Sequence, residues 1–82
     1  MEKELEFLRK VAYEAFADST PYLQNMEWVK EILIEGLMKT ESLKGFEGFI
    51  EERIKDEVSE DKKVDLRIYL TFLLKLWRRK VG

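Results

Sequence analysis

The sequence predicts an all-α fold, a compact bundle of four short helices with an apolar C-terminal helix. Three observations carry that expectation. Apolar residues recur at three- and four-residue spacing in four stretches, the spacing of one helix face. No run alternates apolar and polar residues with the period of two that marks a half-buried strand. Polar breaks at 18–21, 40–42 and 59–63 separate the four stretches.

The first helix is expected over residues 2–17. Leu5, Leu8, Val11, Ala12, Ala15 and Phe16 fall on one stripe, with Phe7 and Tyr13 off it. Proline is disfavoured inside a helix and tolerated in its first turn, so Ser19 or Thr20 is expected to cap a second helix that Pro21 opens. This second helix is expected over 21–39, with Tyr22, Leu23, Met26, Val29, Leu33, Ile34 and Leu37 as a wide apolar face. Gly36 costs about 1 kcal/mol of helix propensity relative to Ala. A close helix–helix crossing at that residue would explain its presence.

The third helix is expected over 43–58, with Leu43, Phe46, Phe49, Ile50, Ile54 and Val58 inward. Arg53 and Glu57 fall inside that stripe. They stand four apart and can pair along the helix, and such a charged pair within an apolar seam could specify a partner or register. The favoured expectation is that Arg53 lays its aliphatic stem across the seam with its head in water. Residues 59–63 read as a solvated loop. The fourth helix is expected from Val64 or Asp65 to about residue 80, with Asp61 or Asp65 as its cap. Its apolar positions, from Phe72 round to Leu74, span an arc of about 200° at 100° per residue. One neighbouring layer needs a stripe of only a little over 100°. The fourth helix is therefore expected at the centre of the bundle, or with part of its arc against a second chain.

The 82 residues make a single domain, 1–82, because independent cores come with roughly 50–200 residues. Folds of about 80 residues or fewer commonly add disulfides, a metal or oligomerisation to a small core. With no Cys and no His, disulfides are excluded and an ordinary zinc or iron site has no ligands. Oligomerisation remains, which points to a homodimer.

The same two absences remove the commonest acid/base and thiol chemistry. Ser19, Ser42 and Ser59 each sit at an expected helix boundary, where capping accounts for them. Gly45 and Gly48 belong to no phosphate-binding loop. Glu27, Glu31 and Glu35 stack on the second helix, and Glu47, Glu51, Glu52 and Asp56 on the third. Glu57 and Glu60 form a carboxylate pair without a second half. Such runs read as solvated acidic faces. No catalytic residue, metal site or cofactor is expected, and the chain reads as a non-enzyme.

Charge is strongly segregated. Residues 66–82 carry five cations, Arg67, Lys75, Arg78, Arg79 and Lys80, and no carboxylate, whereas residues 1–65 carry a net −7. The basic segment is also the most apolar. A partner-docking surface is therefore expected on Arg67, Leu70, Leu74, Trp77 and Arg78, for an interaction or assembly protein whose partner can be a second copy of itself. The alternative is a nucleic-acid-binding protein that grips phosphates with Arg67, Lys75, Arg78 and Arg79 and stacks bases on Trp77. A pI of about 5.3 weighs against it, since nucleic-acid-binding domains usually exceed about 9. The same acidity weighs against a membrane-surface helix.

Residues 64–77 are interrupted by Asp65, Arg67 and Lys75 and are too short and charged to span a bilayer. No apolar leader follows Met1, so the expected location is cytoplasmic. High Glu and Lys with a single Asn and a single Gln is the composition of a thermophile protein.

Overall fold

The computed structural model describes residues 2–82. Helix α1 (Glu2–Ser19) leads through a 3-10 turn (Thr20–Tyr22) into α2 (Met26–Lys39), followed by α3 (Leu43–Asp56) and α4 (Glu60–Val81). No strand occurs among the described residues. One apolar cluster draws on all four helices, among them Leu8 and Val11 of α1, Val29 and Leu33 of α2, Phe46 and Ile50 of α3, and Leu66, Tyr69 and Leu73 of α4. Fully burying a side chain of the size of Leu33 or Leu73 stabilises the fold by about 1.5–3 kcal/mol. α4 packs on all three other helices, most extensively on α1 and then α3. Most of its wide apolar arc is met in this way.

The connections differ from the sequence expectation, and side-chain oxygens explain why. α1 continues to Ser19. Ser19 and Thr20 do not cap a helix beginning at Pro21. Their hydroxyls instead donate back to the Phe16 carbonyl, at 3.2 and 2.7 Å, satisfying an acceptor that the end of α1 leaves free. Pro21 sits in the 3-10 turn, and α2 begins five residues beyond that proline, at Met26. Tyr22 and Met26 are consequently exposed and stand outside the apolar face.

α3 stops at Asp56, so Val58 lies in the following turn, 92% exposed. Residues 60–63 form the first turn of α4 and not a loop. Ser59 is its N-cap, the hydroxyl accepting from the Lys62 N–H at 3.4 Å. Ser42 caps α3 in the same way, through the Gly45 N–H at 3.1 Å. α4 has Glu60 and Asp61 in its first turn and Arg78, Arg79 and Lys80 in its last, signs that complement the helix dipole.

Asp65 is not the cap of α4. It lies one turn in, 1% exposed, and caps a different helix. Its carboxylate accepts the Asn25 N–H at 2.6 Å and the Gln24 N–H at 3.1 Å, immediately before α2. The Asn25 side chain makes no capping bond of its own. Charge-assisted bonds from two amides offset the cost of burying the carboxylate. Tyr69, a turn further on, donates its hydroxyl to the Ala12 carbonyl at 2.8 Å, so α4 is pinned to α1 as well.

Candidate functional site

α4 divides lengthwise into three zones. Asp65, Leu66, Tyr69, Leu70, Leu73 and Leu76 are buried. On the opposite side Arg67, Thr71, Lys75, Arg78 and Arg79 are exposed. Two half-buried apolar shoulders flank that polar stripe: Leu74 and Trp77 on one edge, Ile68 and Phe72 on the other. The edges follow from the 100° step of the helix, which sets Arg67 and Arg78, eleven residues apart, within about 20° of one another.

The expected docking residues divide accordingly. Arg67 and Arg78 are exposed and aligned. Leu74 and Trp77 are half-buried beside them. Leu70 is only 8% exposed and belongs to the chain's own core, although on the wheel it stands between Trp77 and Leu74. Lys75 and Arg79, the other two bases of the nucleic-acid alternative, are exposed further round the stripe.

Lys80 pairs with Glu14 on α1 at 3.3 Å. Among the described residues, Arg67, Lys75, Arg78 and Arg79 form no ion pair. The acidic body thus pairs with Lys80, which lies off the stripe, and with none of the stripe's own cations among the described residues.

Arg53 and Glu57 do not pair along α3. The Arg53 guanidinium meets Glu35 on α2 at 3.5 Å, where Glu35 also takes Lys39 at 3.2 Å. Glu57 turns to the backbone, accepting the N–H groups of Val58 and Ser59 at 3.0 Å each. Chiefly through the Ser59 bond, with Lys62 and Arg53 nearby, its carboxyl is held below the usual carboxylate range. Among the described residues no three His, Cys, Asp or Glu side chains converge as a metal-holding group.

The two shoulders have aromatic partners that the stripe pattern did not single out. Trp77 meets Phe7 of α1 edge to face, ring centres 5.0 Å apart. With Leu43 and Val81 they line a cleft of about 460 Å³. The position of Phe7 off the α1 stripe was its sequence signal. At the other shoulder Tyr22, 63% exposed, stacks on Phe72 at 5.5 Å. A groove of about 770 Å³ runs between α3 and α4, with Glu51, Glu52, Ile54 and Lys55 on one bank and Lys63 and Arg67 on the other.

No helix among the described residues is long and apolar enough to cross a membrane. Compared with protein-family models, curated proteins and solved structures, the chain matches none.

Proposed function

We propose that this is a non-enzymatic interaction or assembly protein of the cytoplasm that docks an acidic protein surface against the exposed stripe of α4. One observation carries the reading: Arg67 and Arg78, without ion pairs among the described residues, lie in line beside the half-buried Leu74 and Trp77. Charge set beside partly covered aromatic and aliphatic groups is the composition of an interface rim next to its core. Arg and Trp are the residue types that most often dominate binding energy.

Fluorescence anisotropy tests the proposal. The probes are a labelled acidic amphipathic helical peptide and labelled single- and double-stranded DNA and RNA. The peptide is expected to bind at low salt and to lose affinity at least tenfold in the R67E/R78E variant, with the nucleic acids not binding. Micromolar nucleic-acid binding that collapses with salt would overturn the docking proposal in favour of phosphate recognition by Arg67, Lys75, Arg78 and Arg79.

A further inference from the structure

We infer that the partner is a second copy of this chain, docked about a two-fold axis that runs along the α3–α4 groove. The inference rests on the docking reading above and gives it an occupant. The observation is the charge on the two banks. Lys63 and Arg67 stand on the α4 side, and Glu51 and Glu52 outweigh Lys55 on the α3 side. The banks do not neutralise one another: among the described residues Lys63 reaches only Glu60, at 3.8 Å, and Arg67 has no ionic partner.

The sign pattern selects the symmetry. Rotation by 180° about an axis parallel to the groove lays α4 of one copy over α3 of the other. Arg67 then faces the partner's acidic bank, and the same contact recurs on the far side of the axis. Rotation about an axis across the helices would lay α4 on α4 and oppose like charges, which disfavours that docking. The first arrangement is isologous, uses one patch on both copies and closes at two. Ile54 on one bank and Leu74 on the other flank would supply apolar contact between the charged rows. A dimer also gives an 82-residue chain without Cys or His the added burial that small folds commonly need.

Charge exchange tests this in analytical ultracentrifugation of the full chain. The wild type is expected to dimerise at about 0.01 M salt, where the Debye length is about 30 Å, and to shift towards monomer at about 1 M, where it is about 3 Å. K63E/R67E makes both banks of the groove acidic, and E51K/E52K makes both basic. Each variant alone should be at least tenfold weaker in self-association, with an unchanged helical circular dichroism spectrum because none of the substituted side chains is buried. An equimolar mixture should restore a dimer, since acidic α4 then meets basic α3 and the reverse. A wild type that stays monomeric at low salt overturns the second copy as occupant. If that monomer still binds the acidic peptide, the docking proposal stands without it. A dimer that neither variant weakens, or a mixture that does not re-associate, overturns the α4-on-α3 arrangement.

Discussion

The Cβ that Gly36 lacks would stand 2.8 Å from Cδ2 of Phe49. The same Cβ would meet Phe46 Cε1 at 2.9 Å, so two rings of α3 lie against the bare backbone of α2. Gly36→Ala should gain about 1 kcal/mol of helix propensity and lose about 1–3 kcal/mol to overpacking. The expected net is a destabilisation of about 1 kcal/mol, read as a lower denaturant midpoint at unchanged slope. Gly48 is the control. A Cβ there meets nothing within 4 Å, and its φ is not positive. Gly48→Ala should stabilise by about 0.5–1 kcal/mol. Opposite signs at two helical glycines separate packing from propensity, and equal signs would refute the crossing as the reason for Gly36.

Tyr69 gives the protein an alkaline limit. Burial, with a smaller contribution from Tyr13, pushes its phenol well above the ordinary value of 10.0. A group whose folded pKa is raised contributes stability below its unfolded pKa and loses it as pH rises beyond. Stability should therefore fall as pH climbs above 10, where only the unfolded chain releases this proton. Tyr69→Phe should cost about 1 kcal/mol at neutral pH through the lost bond to Ala12 and flatten that decline. An unchanged pH slope in the variant would show that other groups set the limit.

Glu57 acts at the acid end with the opposite sign. Its carboxyl, held below 4.5 mainly by the Ser59 N–H, contributes stability above its unfolded pKa that is lost as pH falls through the folded one. Glu57→Gln should make the thermal midpoint less sensitive to pH over that interval. Because Glu57 is only partly covered at the α3–α4 turn, the effect should be small. A variant that retains the full acid sensitivity would assign it to other carboxylates.

The Glu- and Lys-rich composition predicts a thermal midpoint above the roughly 45–65 °C typical of mesophile domains. Calorimetry at two protein concentrations would read both the midpoint and any stabilisation by self-association. A concentration-independent midpoint within the mesophile range would count against both proposals.

Helix number and the inward faces were legible because three- and four-residue spacing is a property of the chain itself. Val11, Leu33 and Phe46 need no knowledge of their neighbours to be placed inside. The close approach at Gly36 was legible for a related reason, since a residue unfavourable to helices calls for a contact that excludes side chains. The start of α2 was not legible. Pro21 and two hydroxyl residues look like a helix start, yet the Ser19 and Thr20 hydroxyls donate backwards to the Phe16 carbonyl instead of accepting from an N–H ahead of them. Asp65 looks like a local cap in the sequence because its true partners lie 40 and 41 residues away. Within the candidate surface, the wheel placed Arg67, Lys75, Arg78 and Arg79 on one side. It could not say which part of the 200° arc α1 and α3 would cover, and so could not assign Leu70 to the interior.

The Asp65 clasp ties the timing of two helices together. The amides of Gln24 and Asn25 precede α2 and would ordinarily be the first to fray and exchange with solvent. Here they cannot open without releasing a carboxylate carried by α4, and α4 cannot leave without stranding them. Two amides in a short connection should therefore exchange as slowly as those of the core helices. In a time course of deuterium uptake, they would mark the moment when the whole molecule lets go.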